Sequence, residues 1–176
     1  MPTTVALVSL GCSKNLVESE HLLGTLATQG YQIVEETEKA EILIVNTCAF
    51  IQPAEEEAVE ALLDLAELKK TGRARKLICA GCLTQRRGRK LMEILPEVDA
   101  FIGVGLIPHL PDIIARTMQG ERLFVESELD YLPTAATPRW RSGPDWTTYL
   151  RIADGCSNYC TYCTIPQIRG PYRSRS

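Results

Sequence analysis

Residues 1–126 alternate short apolar runs with segments of helical period, and this alternation leaves few folds open. VALVSL (5–10), YQIVEE (31–36), EILIVNT (41–47), KLICAG (76–81) and VDAFIGV (98–104) read as strands. Between them lie helical patterns over 14–29, from Pro53 to about Lys70, over about 84–95, and then over 108–119. Gly30 is placed to stop the first helix, and Glu55, Glu56, Glu57, Lys69 and Lys70 give the second the polarity its dipole favours. Strands that alternate with helices predict an α/β domain with an open, mostly parallel five-stranded sheet and flanking helices. EILIVNT is apolar enough to be buried on both faces.

The pattern breaks down over 127–146, a stretch rich in Pro, Thr, Ser and Gly that reads as a linker. TTYLRIADGC (147–156) then reads as a new strand running into GCSNYCTYCTIP. About thirty residues from 147 to 176 are too few for a second domain, so the expectation is the start of a domain cut short.

Seven cysteines, an odd number, suit metal or redox chemistry better than a disulfide framework. Cys156, Cys160 and Cys163 form a CxxxCxxC triplet. Three thiolates on a four-iron cubane leave one iron open to bind a cofactor or substrate. Cys12, Cys48 and Cys82 each lie just after a predicted strand, the first, third and fourth. In an open parallel sheet these strand ends share the ligand-binding edge. If the three strands are neighbours, their spacing of roughly 4.8 Å brings three thiols within a span of about 10 Å. That is a seat for a second three-cysteine cluster; the competing reading is three buried structural cysteines. Cys79, within the fourth strand, reads as core rather than as half of a redox pair with Cys82. His21 and His109 are the only histidines, and neither has the setting of a catalytic base.

The net charge of -3 hides an asymmetry. Residues 139–176 carry six Arg against two Asp, whereas 1–138 are acidic. An acidic domain is a poor nucleic-acid binder by itself. The N-terminus has no basic leader, and its apolar run is too short to span a membrane, so the expected location is cytoplasmic.

The triplet after a strand, with Tyr162 before its last cysteine, resembles the radical S-adenosylmethionine superfamily. Read with GCSKN (11–15), NTC (46–48) and GCLTQR (81–86), the chain resembles the radical SAM methylthiotransferase family over essentially its whole length. The resemblance implies two [4Fe-4S] clusters and S-adenosyl-L-methionine. Cys12, Cys48 and Cys82 would hold the sulfur-donor cluster. Cys156, Cys160 and Cys163 would hold the cluster that cleaves S-adenosylmethionine to a 5′-deoxyadenosyl radical. It also implies that 147–176 form the first strand and cluster loop of a truncated (β/α) barrel, that a reductant such as flavodoxin is needed, and that this portion alone is inactive. Ser13-Lys14 within SLGCSKNLVESE is similar to the branch that modifies an aspartate β-carbon of ribosomal protein S-twelve on the small ribosomal subunit. The branch acting on a modified adenosine in transfer RNA comes second. A cysteine-rich zinc-binding module is the non-enzymatic alternative.

Overall fold

The computed structural model describes residues 2–175. Its centre is one sheet of β1 (Thr4–Ser9), β2 (Gln32–Ile33), β3 (Ile42–Thr47), β4 (Lys76–Gly81), β5 (Ala100–Ile102) and β6 (Leu123–Val125). The strand order is β2-β1-β3-β4-β5-β6 and every pairing is parallel. The helices between them are α1 (Ser13–Thr28), α2 (Gln52–Thr71), α3 (Cys82–Ile94) and α4 (Leu110–Met118).

Alternation along β3 explains why both faces are covered. Ile42 and Ile44 face one way and pack with Leu22 and Leu26 of α1 and Ile113 and Ile114 of α4. Leu43 and Val45 face the other and pack with Leu62 and Leu65 of α2 and Leu83 and Leu91 of α3. Each such side chain, fully buried, contributes roughly 1.5–3 kcal/mol. Cys79 lies on the α2/α3 side with no exposed surface, a core residue as the sequence predicts. None of the described helices is long and apolar enough to cross a membrane.

Two expectations need correction. The sheet has six strands rather than five, because Leu123–Val125 adds an edge beside β5. Three residues carry too little periodicity to be seen in sequence. The run at 147–156 yields only the two-residue strand β7 (Ala153–Asp154). It pairs antiparallel with β8 (Arg173–Ser174), which follows a short helix α5 (Ile165–Arg169). Tyr149, Leu150 and Ile152 are exposed, while Arg151 and Asp154 between and after them are buried.

The stretch 127–146 is docked along α1. His21 Nδ1 meets the Pro138 carbonyl at 2.8 Å, and the Trp140 amide donates to the Glu20 carbonyl at 2.8 Å. Gly24 lets this backbone come close, since a Cβ there would lie 2.5 Å from the Arg139 nitrogen.

Candidate metal centre

β1, β3 and β4 are neighbours, so the three strand-end cysteines share one edge of the sheet. Thr47 pairs with Gly81 in register, which puts Cys48 and Cys82 level on adjacent strands. Cys12 is the N-cap of α1 and Cys82 the first residue of α3. Two helix N-termini therefore open onto this edge, where their orphan amides favour negative charge. Cys48 and Cys82 are buried, and Cys12 is exposed.

A polar layer beneath the thiols fixes the edge. Asn15 donates through Nδ2 to the carbonyls of Leu10 at 3.0 Å and Thr47 at 2.9 Å. Asn46 donates to the Asn15 carbonyl and to Ser19 Oγ. Thr47 Oγ1 accepts from the Leu83 amide and donates to the Ala80 carbonyl, which binds β3 to the start of α3. Gly11 has a φ of +87°, and a Cβ on it would stand 2.5 Å from Cys48 Cβ and 3.0 Å from Cys48 Sγ. The loop carrying Cys12 thus passes close over Cys48 only because residue 11 has no side chain.

Arg169 reaches this edge from α5. Its Nη2 donates to Cys82 Sγ at 3.2 Å and to Asn15 Oδ1 at 2.6 Å, and its Nη1 donates to Glu18 Oε2 at 2.6 Å. Burial pushes the Cys82 thiol up to about 11, partly offset by the Arg169 guanidinium. Burial also opposes ionisation of Glu18, but Arg169, Arg151 and the Gly105 amide outweigh it and hold the carboxyl below its ordinary value. Burial works against the Arg169 charge too, yet Glu18, Cys82 and Asp154 raise its pKa overall.

Cys156, Cys160 and Cys163 lie in the loop between β7 and α5. Cys156 and Cys163 are half-buried and Cys160 is exposed. The Cys156 amide donates to the Gly170 carbonyl at 3.0 Å, and that of Cys163 to the Cys160 carbonyl at 3.0 Å. Tyr159 takes a φ of +49° to turn this loop. Among the described residues, neither cysteine set is drawn into a group of three donors at metal-holding distance. The N-terminal set nevertheless fits a thiolate-ligated cluster in donor type and place. It offers thiols at one edge, two helix N-termini and an arginine on a sulfur. Metal coordination would deprotonate Cys82 despite its burial.

Sequence reasoning missed Glu18, Asn46 and Arg169, and gave no role to Asn15. Asn15 and Asn46 had a signal, their places in GCSKN and NTC; Glu18 and Arg169 stood outside these short motifs and find each other only across 151 residues of chain.

Residues 4–103, more than half of the chain, match the family described as uncharacterized protein family UPF0004. The chain belongs to the UPF0004 family. Its matched region holds β1 to β5 and all three strand-end cysteines. This UPF0004 chain is 50% identical over 172 residues to a protein of Pelobacter propionicus named ribosomal protein uS12 methylthiotransferase RimO. Proteins of that name from Trichlorobacter lovleyi and Akkermansia muciniphila are 49% and 48% identical to it. These alignments cover 97%, 97% and 100% of the chain. The chain spans only 38%, 38% and 40% of the length of those relatives.

Proposed function

We propose that this chain provides the two cysteine sets of a radical SAM methylthiotransferase that modifies an aspartate of ribosomal protein S-twelve. The observation that carries the reading is that Cys12, Cys48 and Cys82 each follow one of three adjacent parallel strands on one edge of the sheet. The names of the relatives supply the substrate class. Cys12, Cys48 and Cys82 would hold one [4Fe-4S] cluster, and Cys156, Cys160 and Cys163 the other. When bound, the clusters and S-adenosyl-L-methionine would supply a transferable methylthio group and a hydrogen-abstracting radical. The chain's own residues prepare that chemistry. Asn15 and Thr47 fix the strand ends, Gly11 leaves room over Cys48, and the N-termini of α1 and α3 favour thiolates.

Anaerobic reconstitution with iron and sulfide tests the reading. Two four-iron clusters are expected per chain. Alanine at Cys12, Cys48 and Cys82 together should halve the iron. Bound zinc without sulfide would instead support the zinc-binding module. Assay of the reductant-supplied full-length protein on ribosomal protein S-twelve and on transfer RNA separates the two substrate classes, and only the former should acquire the methylthio group.

A further inference from the structure

Buried charges from α1 and from both sides of the second cysteine set form a group that the proposed chemistry does not by itself require. Glu18 and Asp154 are buried, as are Arg151 and Arg169. Arg169 Nη1 lies 2.6 Å from Glu18 and 3.8 Å from Asp154. Arg151 lies 3.8 Å from Glu18 and hydrogen-bonds Asp154 directly. Lys14 and Arg173 approach Asp154 at 3.7 and 3.9 Å. Four cations therefore converge on two carboxylates. Within the group, Nε and Nη1 of Arg151, Nε of Arg173 and Oδ1 of Asp154 are buried with no hydrogen-bond partner among the described residues. The buried Arg151 and Arg169 are matched by the buried Glu18 and Asp154, while Lys14 and Arg173 approach from the partly exposed rim. Beyond these carboxylates, Arg169 Nη2 reaches Asn15 Oδ1 at 2.6 Å and Cys82 Sγ at 3.2 Å.

We propose that Arg169 is a positioning residue that couples an anionic metal–thiolate group at Cys12, Cys48 and Cys82 to the docking of the segment bearing Cys156, Cys160 and Cys163. This rests on the function proposed above. Arg169 lies six residues after Cys163, on α5. Its fork grips Glu18 and Asn15 of α1 and the sulfur of Cys82 at once. Arg169 is already charged, so negative charge at the ligated sulfur turns that last contact from an ion–neutral hydrogen bond into an ion pair. Loading one cysteine set thereby tightens the segment that holds the other, and the spacing between the two sites becomes a consequence of occupancy.

The test uses the full-length protein with Cys156, Cys160 and Cys163 all changed to Ala, so that only the N-terminal site takes up iron and sulfide. Iron content is measured first, then hydrogen exchange of residues 165–175 in the metal-free and loaded forms. Loading should slow that exchange about fivefold, the gain from turning that one hydrogen bond into an ion pair. Arg169→Gln should abolish this slowing. It should also lower the reduction potential of the cluster, because a hydrogen bond to a ligand sulfur stabilises the reduced form; a purely supporting role would leave the potential unmoved. Iron-free parent protein would overturn the proposed site and this coupling with it. Loaded parent protein without slower exchange would overturn the coupling alone, as would an Arg169→Gln protein that keeps the slowing and the potential. Should Arg169→Gln not fold, Arg169→Lys decides. It keeps the charge without the fork, so it should hold iron yet protect 165–175 less than arginine does, and equal protection refutes the bridge.

Discussion

Replacing Gly11 by alanine probes the one backbone position that lets Cys12 and Cys48 share an edge. Its φ of +87° lies in the left-handed half of the map, where a side chain costs roughly 1–2 kcal/mol. The new methyl would also sit 2.5 Å from Cys48 Cβ, an atom anchored to the buried end of β3. That carbon has little freedom to retreat, so overpacking adds about 1–3 kcal/mol. The total is ~2–5 kcal/mol, enough to move a urea midpoint by about 1–2.5 M at a slope near 2 kcal/mol/M. Gly30→Ala is the matched control. Its φ is +86°, but nothing lies within 4 Å of the added carbon, so only the ~1–2 kcal/mol of backbone strain should appear. The assays are urea unfolding of the metal-free proteins and iron content after anaerobic reconstitution. Gly11→Ala should unfold well before Gly30→Ala and lose half of its iron, while Gly30→Ala keeps all of it. Equal midpoints for the two variants, or full iron in Gly11→Ala, would refute the claim that this close approach builds the site.

Cys79 should resist alkylation in the folded, metal-free protein. Burial pushes its thiol up to about 11, against the hydrogen bonds of Thr84 and Thr47, so only about one molecule in a thousand carries the thiolate at pH 8. Mass spectrometry after iodoacetamide should find exposed Cys160 labelled first and Cys79 only after unfolding; early labelling of Cys79 would contradict the core assignment. His21 should make stability fall in mild acid. Burial lowers its pKa below 6.5, against the pull of the Pro138 carbonyl, while nearby Arg139 and Arg151 depress it further. Its contribution is therefore complete above 6.5 and is lost as the pH falls through the lower folded value. Urea midpoints measured from pH 7.5 to 5 should drop further for the parent protein than for His21→Gln, and parallel curves would count against the assignment.

The α/β class could be read from the chain because strand and helix periods are local properties of neighbouring residues. EILIVNT became the fully buried β3, and Pro53 with its following glutamates became the start of α2, within a residue of expectation. β6 was missed because a three-residue edge strand borrows its stability from β5 rather than from its own pattern. TTYLRIADGC misled for the opposite reason: only Ala153 and Asp154 find a partner, in the two-stranded pairing with β8, and its apolar Tyr149, Leu150 and Ile152 stay exposed. Cys12, Cys48 and Cys82 were legible as a set because each follows a strand, and the fold class alone puts strand ends on one edge.

The sequence by itself determined the layered α/β plan and the position of each cysteine just beyond a strand, since both follow from local period and spacing. The tertiary structure decided that β1, β3 and β4 are neighbours, which is what brings the three positions to adjacent strand ends. It also decided that Arg169 grips Glu18, Asn15 and Cys82 across 151, 154 and 87 residues of chain. Charges find each other through space once the chain has folded, and nothing local to Arg169 distinguishes it from the other arginines around it.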